Sequence, residues 1–152
     1  MSRTFEKGDS NRCRNVYEQI LRAGLPAAIL EAGERVPVGS GGWGAATAEA
    51  FSMLRQEECT EVAKPEWWND EELKALSGRV VRAAPDEVVA NQMRAHVLGR
   101  MSGAWEAGPR SAAELWEAAA HFERAAALHP APVMKAELAE QAARCRSEAG
   151  AM

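Results

Sequence analysis

The chain of 152 residues has few cysteines, a single tyrosine and no long apolar run. Its three cysteines, Cys13, Cys59 and Cys145, are far apart and form neither a CxxC motif nor a Cys/His pair at zinc spacing. We therefore predict free thiols rather than a disulfide framework or a zinc site. No stretch reaches the roughly 18 apolar residues of a membrane span, and the N-terminus lacks an apolar signal segment. These absences predict a cytoplasmic protein without a membrane span.

The chain also lacks an excess of positive charge. The net charge is −4, the isoelectric point is near 5.5, and both signs are interspersed. Without a basic stripe, a nucleic-acid partner is not expected. The hydrophobic fraction of 47% and the charged fraction of 26% are typical of a soluble globular domain. Alanine supplies much of the apolar content and β-branched residues are few, which favours an all-α fold.

The N-terminal half is predicted to contain short helices and a glycine-rich loop. Residues 1–9 are polar, and we expect them to be disordered. Apolar periodicity predicts helices over 10–23 and 26–32, each ending at a glycine. A Gly-rich loop is expected at 34–44, followed by a longer helix over 45–63 that ends before a proline. No credible pair of strands is present.

The C-terminal half carries clearer signals for helix ends. Asn69 and Ser111 each precede a glutamate by three residues, which is a capping-box pattern. Asp86 is the expected cap of the intervening helix, and Pro132 suits the first turn of the last one. The expected helices cover residues 70–84, 87–101, 112–129 and 132–149. Their expected buried faces are Leu73, Leu76, Val80 and Ala84; Val89, Met93, Val97 and Met101; Leu115, Ala118, Phe122 and Ala125; and Met134, Leu138, Ala142 and Cys145.

Two segments of this half, Leu73–Val88 and Ala118–Val133, can be laid over one another. Each is an amphipathic helix with a small or apolar residue five positions before a proline, followed by a new helix. In the second segment, "FERAAALHP" resembles the B helix of a tetratricopeptide (TPR) repeat. The matching positions are Ala118, Phe122, Ala125 and Pro130. The prolines of the two segments lie 45 residues apart instead of about 34, and the excess falls in the 99–111 loop.

The resemblance covers about residues 69–149 and implies an architecture. It implies antiparallel helical hairpins in a TPR-like right-handed helical array, with the N-terminal helices packed on it. We therefore expect one helical domain over 10–150. Residues 10–64 would supply the N-terminal helices and the Gly-rich loop, and residues 65–150 the TPR-like helices.

The resemblance also implies a binding scaffold whose A helices hold a peptide or a partner helix. On the helix over 87–101, Gln92, His96 and Arg100 follow one another at intervals of four. They offer an amide, an imidazole and a guanidinium, which suit carboxylates or peptide backbone. The alternative is a solvated helix face. The carboxylate-clamp pattern of the family is not evident, so a C-terminal carboxylate ligand is not supported.

The five tryptophans are unevenly placed. Trp116 lies beside Leu115 and is expected in the core, whereas only one of the adjacent Trp67 and Trp68 is expected to face a core. Trp43 and Trp105 lie in Gly-flanked loops. Loop tryptophans either fold back onto the domain or act as contact anchors, and Trp105, in the loop that lengthens the repeat, is the predicted contact anchor. The predicted partner-binding residues are thus Gln92, His96, Arg100 and Trp105.

The remaining motif is glycine-rich. Gly39, Gly41 and Gly44 match G-x-G-x-x-G, but the strands of a dinucleotide-binding unit are missing, so a flexible loop between helices is expected. Histidines and carboxylates show no catalytic or metal-binding arrangement, and no cofactor is expected. We predict a non-catalytic scaffold that binds another protein or peptide. The alternatives are a structural subunit or detached domain of a larger helical assembly, and a nucleotide or small-molecule binder using this loop. The oligomeric state stays open.

Overall fold

The computed structural model of the protein describes residues 39–55, 64, 66–101 and 103–152. This part of the chain forms helices and contains no strand, so the predicted all-α class is confirmed. The helices are α1 (Gly41–Leu54), α2 (Asp70–Ala83), α3 (Val88–Gly99), α4 (Ala112–Leu128) and α5 (Pro132–Gly150). The predictions for residues 1–9, 10–23 and 26–32, for the start of the Gly-rich loop and for the helix beyond Arg55 lie outside the described residues.

Three of the predicted helix starts are confirmed by their caps. The Asn69 side chain accepts a hydrogen bond from the Glu72 backbone N–H (3.0 Å). Ser111 and Glu114 form a reciprocal capping box, with bonds of 3.1 and 2.9 Å. Pro132 opens the first turn of α5. These bonds satisfy N–H groups that a helix start leaves without an intrahelical acceptor.

Three other helix boundaries differ from prediction. Helix α1 begins at Gly41 rather than at residue 45, because Ser40 Oγ caps it by accepting from the Trp43 N–H (3.2 Å). The prediction of Asp86 as a cap was wrong: Glu87 precedes α3 and makes no side-chain cap bond. Helix α3 also ends early, because Arg100 adopts the left-handed conformation (φ 55°), which stops the helical repeat.

Consecutive helices pack on one another around two hydrophobic clusters. Helix α4 packs against α3 and α5, while α1 packs against α2 and α3. The first cluster contains Trp43, Ala48, Phe51, Leu73, Leu76, Val80, Ala84, Ala90, Met93, Val97 and Trp105. The second contains Ala95, Leu98, Ala118, Ala119, Phe122, Ala125, Leu138, Ala142 and Cys145. Helix α3 contributes to both clusters, so it is buried on more than one face.

The buried faces predicted for α2 and α4 are confirmed in full. Val89, Met101 and Met134 are only half-buried. Helix α1 approaches α2 closely at Gly44, where an added Cβ would lie 3.0 Å from the Val80 carbonyl oxygen and from the Ala84 Cβ. Among the described helices, none combines the length and apolar character that crossing a bilayer requires.

The tryptophans depart from prediction at three places. Trp43 is fully buried in the first turn of α1. Trp67 and Trp68 both pack against the first cluster, with ring centroids 5.7 Å apart, so the expectation that only one would do so was wrong. Trp116 was expected in the core but is 48% exposed. The adjacent Leu115 is buried, and successive helix positions differ by about 100° in direction.

Candidate functional site

The residues of the predicted polar edge occupy different environments. His96 is 7% exposed, and its ring packs edge-on against Phe122 with centroids 5.3 Å apart. Burial, assisted by the charge of Arg55, lowers the pKa of His96 to about 3. Gln92 is half-buried. Arg100 is exposed beyond the end of α3 and pairs with Glu148. The structure therefore does not bring these three side chains together on one exposed edge.

Trp105 lies inside the molecule. It is 8% exposed, and its ring contacts those of Phe51 and Trp68 at centroid distances of 5.8 and 6.1 Å. Its indole N–H donates to Asp70 Oδ1 (3.1 Å). The loop that lengthens the repeat thus folds its tryptophan back onto the first cluster.

The same loop is held by a buried ion pair that the sequence did not reveal. Arg110 donates to both carboxylate oxygens of Asp70, at 2.6 and 2.8 Å, and its side chain has no solvent exposure. It also donates to the carbonyls of Val97 and Leu98 at the end of α3. The hydrogen bonds from Arg110 hold the pKa of the Asp70 carboxyl far below its usual range. This pair joins the start of α2, the end of α3 and the loop, across 40 residues of sequence.

A polar network fixes α4 against α3. Arg94 Nε donates to Glu117 Oε2 (2.9 Å), and Asn91 Oδ1 lies 2.9 Å from His121 Nδ1. The Asn91 amide nitrogen donates to the Pro85 carbonyl, which leaves its oxygen placed to accept a hydrogen bond from His121 Nδ1. Burial lowers the pKa of His121, against the opposing charge of Glu117.

Burial alone would raise the pKa of Glu117, but the hydrogen bond and charge of Arg94 outweigh it and the pKa is lowered. On the opposite flank, Arg146 of α5 pairs with Glu123 (2.7 Å). The Lys135 ammonium donates to the carbonyl of Ala126 (3.0 Å). Helix α4 is therefore held on both sides by ion pairs and hydrogen bonds.

Six residues of α4 are exposed; two of them, Glu123 and Arg124, are charged and the other four are apolar. We call the set of exposed residues Ala113, Trp116, Ala120 and Ala127 the α4 outer face. Their positions relative to Trp116 are −3, 0, +4 and +11, which places them on one side of a helix with 3.6 residues per turn. Trp116 is an exposed large apolar side chain in the second turn of a helix held on both flanks, whereas Val133 lies at the start of α5 and Met152 beyond its end. The chain thus presents an indole flanked by small side chains.

The Gly-rich motif is part of a helix start rather than a loop alone. Gly41 and Gly44 belong to the first turn of α1, and Gly39 precedes the Ser40 cap with φ at +90°. No group of three His, Cys, Asp or Glu side chains in the described part of the chain is arranged to hold a metal ion. Comparisons with known protein families, with curated proteins and with solved structures found no match.

Proposed function

We propose that the protein is a non-catalytic protein–protein interaction module, in which α2 to α5 form a TPR-like array and the α4 outer face binds a helix or peptide of a partner. The exposure of Trp116 on this face carries the proposal. Tryptophan is enriched among residues that dominate binding energy, and its rigid ring gives a large contact area. A buried free thiol at Cys145 suits the reducing cytoplasm, where we place the module.

The surroundings of Trp116 indicate what kind of partner is suitable. Ala113 and Ala120 lie one turn away on either side and do not obstruct the approach to the indole. A partner helix with an apolar stripe can therefore lie close to α4 and enclose the ring. Glu123, two turns from Trp116, lies on the same side of the helix and pairs with Arg146, while Arg124 at the edge of the face pairs with Asp86. We therefore expect the partner to present an amphipathic helix whose apolar stripe is bordered by polar residues.

The rigidity of α4 supports the same conclusion. Its buried side chains and flanking ion pairs hold the helix in place before a partner arrives, so little ordering is required on binding. Binding by Gln92 and Arg100 remains a competing proposal. His96 and Trp105, by contrast, would have to leave the interior to touch a partner.

Site-specific photocrosslinking in a native lysate tests the proposal. A photoreactive amino acid is placed at Ala120 on the α4 outer face, and at Ala139, an exposed alanine of α5, as the matched control. We expect a protein that crosslinks from position 120 but not from 139. The crosslink should be lost in a Trp116→Ala background and kept in a Gln92→Ala/Arg100→Ala background. The crosslinked protein, purified, should bind the wild-type chain directly.

Two results would overturn the assignment to the α4 outer face. One is the absence of any crosslink that depends on Trp116. The other is a crosslink that survives Trp116→Ala and disappears in the Gln92→Ala/Arg100→Ala variant. That result would place the partner-binding site on α3. A crosslinked partner that is a second copy of this chain would favour the alternative of a subunit in a larger helical assembly.

A further inference from the structure

We draw no further inference here: the strongest candidate, the acidic cleft of about 410 Å³ between the start of α2 and the loop before α4, is a cluster of carboxylates (Asp70, Glu71 and Glu106) to which no second feature of the described residues assigns a ligand.

Discussion

Asp70 and Arg110, which are 40 residues apart in the sequence, form a two-bond ion pair in which the arginine side chain has no contact with solvent. Both oxygens of the Asp70 carboxylate accept a second hydrogen bond. The Trp105 indole N–H donates to Oδ1, and the Gly108 backbone N–H donates to Oδ2. The pair therefore does more than neutralise charge. It determines where the loop before α4 runs, and with it the placement of Trp105.

Replacing Arg110 with methionine should destabilise the protein strongly. The change leaves Asp70 partly buried without its cation, and loss of one partner of a buried pair costs about 3–5 kcal/mol. Urea denaturation is the suitable measurement because urea does not screen charges. Glu106→Ala, at an exposed position of the same loop, should change the free energy of unfolding by no more than about 0.5 kcal/mol. Equal stability of Arg110→Met and wild type would contradict the role assigned to the pair.

His96 should make the protein acid-sensitive. Its pKa is about 3 in the folded state against 6.5 in the unfolded chain, so its stabilising contribution is complete above pH 6.5 and declines as the pH falls toward 3. The slope for one such group is at most about 1.4 kcal/mol per pH unit. His121 acts in the same direction, since burial lowers its pKa also.

The difference between wild type and His96→Leu isolates the contribution of His96. Thermal unfolding from pH 7 to pH 4 should show a shallower loss of stability in the variant. At pH 7 the free energy of unfolding of the variant should equal or exceed that of wild type, because the buried His96 Nδ1 has no hydrogen-bond partner among the described residues. Parallel stability curves for the two proteins would show that His96 is not held neutral by the fold.

Two glycines of α1 should respond to alanine with opposite signs. At Gly44 the new methyl group would lie 3.0 Å from the Val80 carbonyl oxygen, so α1 and α2 must separate, at a cost of about 1–3 kcal/mol. At Gly41 the nearest atom, the Ala83 carbonyl oxygen, is 3.6 Å away, and the higher helix propensity of alanine should stabilise by up to about 1 kcal/mol. Differential scanning calorimetry of both variants checks this, and destabilisation by both changes would argue against the close contact at Gly44.

Two aromatic residues of α4 should differ in what they contribute to stability. Phe122 is fully buried, and Phe122→Ala should lower the free energy of unfolding by about 3–5 kcal/mol. Trp116→Ala should cost well under half as much, because the indole is already 48% exposed. Chemical denaturation of the two variants compares them on one helix. A loss at Trp116 as large as that at Phe122 would mean that Trp116 supports the fold, and would weaken its assignment to partner binding.

Local chemistry in the sequence was sufficient for the helix ends at Asn69, Ser111 and Pro132, and for the buried faces of α2 and α4. A cap bond joins a side chain to an N–H group three residues ahead, so both partners are visible in a short window. The buried stripe of an amphipathic helix likewise repeats at the helical period. The same local logic failed at Asp86, where the side chain pairs with Arg124 of α4 instead of capping α3.

The candidate sites depended on tertiary structure. Helix α3 lies against two clusters, so a polar residue such as His96 is buried although its spacing suggested an exposed edge. Trp105 was expected at the surface and is buried, whereas Trp116 was expected in the core and is exposed. Burial depends on which surface a neighbouring element covers, and the sequence around a tryptophan does not show this. The sequence by itself determined where the helices of the C-terminal half form and which stripes α2 and α4 bury. Only the packing of distant segments, as in the Asp70–Arg110 pair, decided which side chains remain exposed, because such contacts join residues that no local pattern connects.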